Sequence, residues 1–332
     1  MIPSLSSAPD RAGEPDSSDE IQVGGQAVIE GVVMRGPKRW AVAVRRPSGE
    51  MYVTVNTTST LAQRFPRLNR FPLRGIFVLV DSLVIGIKSL SLSANISLEE
   101  PDGEGEGKEE GTKGEAEEGP EEEKKGLGFW EFAIAIVLAV VLFLGLFIVV
   151  PTVIAKSLDR YLGNTILYNL FEGGLRITIF VLYLAAMSLL PDLRRVFEYH
   201  GAEHKVVHAY EAGGPLTPEF AGRFSTAHMR CGTTFVLVVL VISVLIFSLF
   251  GRPALWLRIV ERLAIIPLVA SISYEIIRMA GKHEHSLVVR VIMAPGLWLQ
   301  RLTTREPDQE KLEVAIDALN AAMGKQAAAD GA

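Results

Sequence analysis

The run FAIAIVLAVVLFLGLFIVVPTVIA, residues 132–155, holds 24 residues and no charge. A helix rises 1.5 Å per residue, so a run of about this length crosses a hydrocarbon core of roughly 30 Å. Lipid offers the backbone no hydrogen-bond partner, so such a segment must satisfy its amides internally as a helix. The run therefore decides the fold class: a mainly α, polytopic helical membrane protein.

Working outward, residues 231–251 form a second uncharged run. Residues 161–190 are apolar except for Glu172 and Arg176, and residues 263–280 except for Glu275 and Arg278. About four spans are expected within residues 129–280, with a His-rich helix and loop at 191–232 between the second and third. Lys and Arg in short loops set orientation. Arg35, Lys38, Arg39, Arg45, Arg46, Arg64, Arg67, Arg70 and Arg74 precede the first span, and Arg194, Arg195, Lys205, Arg223 and Arg230 occupy the His-rich loop. The opposite loops carry only Lys156, Arg160 and Arg252. Both termini and the His-rich loop should face the cytoplasm.

Residues 1–20 are polar, lack the apolar core of a secretory signal, and read as a disordered tail. Residues 21–60 read as a small β unit, with β-like runs at 27–34, 40–44 and 51–55 and a hairpin turn at Pro47-Ser-Gly49. Residues 61–98 begin basic and become apolar from 73, which suggests an interfacial or partly buried helix pair that could enter the bilayer. Residues 99–128 read as an acidic, disordered tether. The part at 99–125 holds thirteen acids against four lysines, so a chain of net charge −5 is at +4 elsewhere. Beyond the last span, residues 281–323 should form an interfacial segment broken at Pro295-Gly296, then an amphipathic cytoplasmic helix with the stripe Leu312, Ala315, Ile316, Leu319 and Met323. Residues 324–332 should fray. Basic clusters interleaved with aromatics are missing, which argues against nucleic acid as a partner. The expected partners are the bilayer and cytoplasmic or membrane proteins, with the oligomeric state open.

The chemistry concentrates in Glu198-Tyr-His-Gly-Ala-Glu-His-Lys-Val-Val-His-Ala-Tyr-Glu211. Pro191 suits the first turn of a helix that runs to Glu211 and stops before Gly213-Gly214-Pro215. His200 and His204, four apart, then share one face with Glu203 and His208. His-x-x-Glu-His is the order of the inverted zinc-hydrolase signature, in which two imidazoles hold the ion and the carboxylate moves protons. Tetrahedral zinc needs a third donor. Cys231 and His228, at the mouth of the third span, are candidates, and so is Glu275 inside the fourth. With His200, His204, His228 and Cys231 all ligating, the site would be closed and structural. A polar cluster without metal is the plainer alternative for the same residues. The single cysteine, Cys231, excludes an internal disulfide. Glu172 and Arg176 read as a self-paired structural set, Gly24-Gly25-Gln26 and Arg35-Gly36 as turns and bulges, and His283 and His285 as solvated.

Several phrases together resemble the YqhQ family of bacterial multi-pass membrane proteins. They are Gly24-Gly-Gln-Ala-Val-Ile-Glu-Gly31 with Met34-Arg-Gly-Pro37, Phe197-Glu-Tyr-His-Gly-Ala-Glu-His204-Lys, Arg230-Cys-Gly-Thr233 and Tyr274-Glu275. Pro295-Gly-Leu-Trp-Leu-Gln-Arg-Leu-Thr-Thr-Arg-Glu-Pro-Asp308 completes them. The resemblance implies a protein of unassigned function in the class of metal-dependent enzymes, adds weight to a metal at His200 and His204, and lends no substrate. Three functions follow in order of expectation. The first is a membrane-embedded hydrolase using tentative zinc, with Glu203 as general base. The second is a non-catalytic scaffold or assembly factor with a structural metal. A transporter using Glu172, Arg176 and Glu275 comes last, because the chain shows no internal repeat.

Overall fold

The computed structural model describes residues 23–57, 61–65, 70, 73–98, 129–251 and 254–325. The expected tail at 1–20 and the acidic tether at 99–128 lie outside these residues, as does the expected C-terminal tail beyond Lys325.

The N-terminal unit is a four-stranded antiparallel sheet in the order β1 (Gly24–Val28), β2 (Gly31–Arg35), β3 (Arg39–Arg45), β4 (Met51–Thr57). The run at 27–34 is therefore two strands rather than one. Val28 pairs with Gly31 across a two-residue turn, and Glu30 sits there at φ 51°. A non-glycine residue holds that left-handed conformation only under outside constraint. The constraint is Arg195, which donates to both Glu30 carboxylate oxygens at 2.7 and 2.6 Å.

Strand alternation gives the sheet two apolar faces. Val32, Met34, Ala41 and Ala43 point one way, into a core shared with α6 (Pro191–Glu211) and α11 (Gln309–Met323). The α11 residues in that core include Leu312, Ala315, Ile316 and Leu319, with Met323 packed against it. Val28, Val33, Trp40, Val42 and Val44 point the other way, against Ile85, Leu92 and Ile96 of α2 (Arg74–Ser97). The result is a three-layer module, helix on sheet on helices. A short α1 (Leu61–Arg64) leads into it, its Leu61 amide held by both oxygens of Asp81.

The membrane part begins with α3 (Phe129–Leu144), a π-helical turn (Gly145–Val149) and α4 (Val150–Ser157). The π turn has a sequence cause. Pro151 has no N–H to give to the carbonyl of Phe147 four residues earlier, and Nε of Arg176 on α5 (Thr165–Met187) donates to that carbonyl at 2.8 Å instead. Next come α7 (Pro218–Ala221), α8 (Gly232–Ser248), α9 (Leu255–Lys282) and α10 (Leu287–Thr303). Outward-facing Ile134, Val137, Leu142, Leu182 and Val260 give the bundle an apolar exterior suited to lipid.

By length and hydropathy alone, four helices qualify as spans: Arg74–Ser97, Ala133–Ser157, Thr165–Met187 and Trp256–Lys282, with Gly232–Ser248 falling short. The sheet, α6 and α11 share one core. α2 packs both on the sheet and on α9, where Gly75 meets Ser271 and Tyr274. The 17 residues of α8 are at the short end of the spanning range. Two expectations are corrected. Residues 73–98 contain one continuous helix and not a pair, and α10 runs unbroken through Pro295-Gly296, where Gly296 seats against Thr234 of α8.

Candidate metal site

The site forms where the third turn of α6 meets the N-terminus of α8 and the end of α10. His200 and His204 fall one helical turn apart, with ring centroids 4.4 Å from each other. Each has its Nδ1 against a backbone carbonyl, His200 with Thr303 at 2.8 Å and His204 with Thr226 at 2.6 Å. A carbonyl can only accept, so in both neutral rings the proton sits on Nδ1 and the lone pair on Nε2. That lone pair faces Sγ of Cys231 at 3.4 Å from His200 and the carboxylate of Glu203 at 3.5 Å from His204. Cys231 is the N-cap of α8 and accepts from the amide of Thr233 at 3.4 Å, which leaves its sulfur where a helix N-terminus favours negative charge. Glu203, His204 and Cys231 are buried.

Two imidazole lone pairs, a sulfur and a carboxylate thus converge, and the Cys231 thiol is the one group among them with a proton to give, to His200. Burying acceptors together is costly unless a proton or a cation lies between them. The ligating atoms of His200, His204 and Cys231 all lie within 4.8 Å of one another, and imidazole with thiolate is a donor set that zinc accepts. The carbonyls behind both rings are the supports that metal-bound histidines normally have.

His228 lies beside this set but spends its ring elsewhere. Its Nδ1 accepts from the amide of Arg230 at 3.2 Å, so Nε2 carries the proton and faces Glu211 at 3.4 Å. Burial pushes the Glu211 carboxyl up, but the His228 hydrogen bond and the Arg230 charge bring it below the ordinary carboxylate value. Together with His208 these two form a second group whose geometry could hold a metal, although the Arg230 guanidinium on Glu211 opposes a further cation there. Burial and the neighbouring His228 push His208 down to about 4, which leaves it neutral at physiological pH. Glu275 is not near the set; both of its oxygens take the guanidinium of Arg74 on α2. His283 and His285 also lie elsewhere, with His285 fully in solvent.

The supports of the set were not readable as site residues from their type. Gln300, wholly buried on α10, accepts from the amide of His228 and donates to its carbonyl, each at 2.8 Å, which fixes the loop before Cys231. The Thr226 and Thr303 carbonyls are backbone atoms and invisible to residue type. Gly201, which weakens a helix on propensity alone, has a packing reason: a Cβ there would collide with the carbonyl oxygen of Arg305, whose amide donates to Phe197 at 2.9 Å. Gly25 of β1 likewise lets the sheet edge close on Glu203, whose Cγ lies 2.8 Å from where a Cβ would stand. In front of the acceptors is a cavity of about 330 Å³, bounded by the β1 edge, α2, α6 and the start of α8.

Residues 71–325 match the family described as "Protein of unknown function (DUF1385)". The chain is 33% identical over 304 residues to the uncharacterized protein YqhQ of Bacillus subtilis (strain 168), covering 90% of this chain and 91% of that one. No solved structure matches it.

Proposed function

The chain belongs to the DUF1385 family that includes YqhQ, and we propose that it is a zinc-dependent hydrolase acting at the cytoplasmic face of a bacterial inner membrane. The single observation that carries this reading is the grouping of the His200, His204 and Cys231 ligating atoms within 4.8 Å of one another, with one nitrogen of each ring tied to a carbonyl. His200, His204 and Cys231 would hold the ion. When bound, zinc supplies Lewis acidity that polarises a substrate carbonyl or phosphoryl oxygen and acidifies water. Glu203, buried and 3.5 Å from the His204 ring, takes the proton from the attacking water and returns it to the leaving group. With His228 turned to Glu211, the protein donors number three, and the remaining side of the set opens on the cavity. That arrangement favours a catalytic over a closed structural site.

Orientation rests on the Lys and Arg bias of the loops, with the sheet module, α6 and α11 on the cytoplasmic side and both termini inside. Protein purified in detergent should carry about one equivalent of zinc by elemental analysis, and His204→Ala should lose it. Glu203→Gln should keep the zinc while abolishing the growth or lipid-composition phenotype that the wild-type chain restores to a deletion strain. A metal-free wild type of undiminished thermal stability would refute the site. An unaffected Glu203→Gln phenotype would leave the scaffold reading in its place.

A further inference from the structure

The cavity in front of the acceptor set has a second wall of opposite character. Strand pairing sets Arg35 of β2 opposite Gly24 and Val33 opposite Gln26. Alternation puts Arg35, Val33 and Gln26 on the sheet face that α2 covers, and all three line the cavity. Among the described residues no carboxylate pairs with Arg35, and its one side-chain hydrogen bond is to Oγ of Ser82 at a long 3.5 Å. Gln26 donates to the carbonyl of Ser82 at 3.4 Å. Arg230, at the cavity's other rim, has part of its charge offset by Glu211.

A half-buried guanidinium without a counter-charge is unfavourable in a confined space and calls for an anion. The cavity is therefore polarised, with donors at Arg35 and Gln26 on the sheet wall, acceptors at His200, His204, Glu203 and Cys231 on the α6–α8 wall, and Arg230 at the rim beside Cys231. Its 330 Å³ is at the lower end of the range for small-ligand pockets. A carboxylate offers two oxygens, whereas a phosphate offers three and up to two charges, enough for both guanidiniums and the amide. The planar fork of arginine matches phosphate in a bidentate way.

We propose that this cavity binds a phosphate-bearing ligand, anchored by Arg35 with help from Arg230 and Gln26, so that its ester faces Glu203. The reaction at that ester rests on the metal-site reading above, but the anion anchor does not. Full-length protein in detergent, with its zinc content measured first, is titrated with inorganic phosphate and followed by calorimetry. Arg35→Gln should weaken binding at least about tenfold, the cost of losing one charge-assisted hydrogen-bonding group, with zinc content and melting temperature unchanged. Arg35→Lys should recover part of the affinity. Gln26→Ala, which removes no charge, should weaken binding severalfold and gives an independent check should Arg35→Gln fail to fold. Competition by glycerol 1-phosphate marks a soluble phosphoester as the ligand, and competition by phosphatidylglycerol nanodiscs marks a lipid headgroup; either supports the anchor. Phosphate affinity that is equal in wild type and Arg35→Gln, or absent in wild type, overturns it. Arg35-dependent binding by a zinc-free wild type would retain the anchor and remove the metal reading.

Discussion

Two buried polar clusters lie in different parts of this molecule, and they differ in what their atoms have left over. The first is inside the bundle. Glu172 on α5 accepts from Oγ1 of Thr152 at 2.7 Å, from Arg176 at 3.3 Å, and on both oxygens from Arg262 of α9, at 2.6 Å on one of them. Arg176 also supplies the carbonyl that Pro151 orphans, and both guanidiniums lie over the ring of Phe247. Donors and acceptors there are spent on one another. The second cluster, at the α6–α8 junction, has a His204 lone pair and a Glu203 carboxylate that no donor meets among the described residues, and they face a cavity. Saturated polarity glues helices together; unsaturated polarity is what a ligand or a reaction needs.

If that contrast is real, the two clusters should fail in different ways. The largest effect is expected for Glu172→Ala, which leaves two buried guanidiniums with no counter-charge and should cost about 3–5 kcal/mol, read as a collapse of the detergent melting transition. Loss of no more than about 1 kcal/mol would show the cluster to be less saturated than its geometry indicates. His204→Ala should instead lose the metal while the protein still folds. Its melting temperature should fall to that of chelator-treated wild type and no further, because stabilisation by a ligand disappears with the ligand.

Gly201→Ala tests the scaffolding of the second cluster without touching a donor. The new methyl must displace the 304–305 segment and with it the Thr303 carbonyl behind His200. The expected result is a 10- to 100-fold loss of zinc affinity, typical of disturbing a ligand's support, together with about 1–3 kcal/mol of overpacking. Wild-type affinity would mean that the carbonyl does not orient the ring.

The smallest effect belongs to neither cluster. Asp308 caps α11, accepting from the amide and from Nζ of Lys311 at 3.0 and 2.5 Å. Burial pushes its carboxyl up, but the Lys311 bonds more than offset this and hold it below the ordinary aspartate value. A carboxyl depressed on folding adds stability that is fully present above its unfolded value and is lost as pH falls through the folded one. Asp308→Ala should cost about 0.5–2 kcal/mol at pH 7, and the gap to wild type should narrow on acidification below pH 4. A gap independent of pH would assign the effect to packing.

How much of this was legible beforehand varies by residue. Phe132 to Ala155 announced a span because lipid leaves a backbone no choice but a helix, and His200, Glu203 and His204 announced a site because helical spacing is fixed. Nothing in sequence paired Glu172 with Arg262, since their 90-residue separation is closed only by α5 and α9 packing. The same is true of Glu275 with Arg74. Residues 27–34 read as one strand because the turn at Ile29-Glu30 uses no glycine at the left-handed position, and Arg195, far along the chain, is what holds it there.

From the sequence alone came the elements and their chemistry: which segments are helices, which of them can meet lipid, and which turn of α6 carries imidazoles and a carboxylate. Local periodicity and hydrophobicity determine these, and both act over a few residues. The tertiary structure alone decided that α2 packs on the sheet, that the Cys231 sulfur lies beside the His200 ring while Glu275 is taken up by Arg74, and that Arg35 lines the same cavity as the histidines. Those are matters of which surfaces are buried together, and burial depends on the packing of segments distant in the chain.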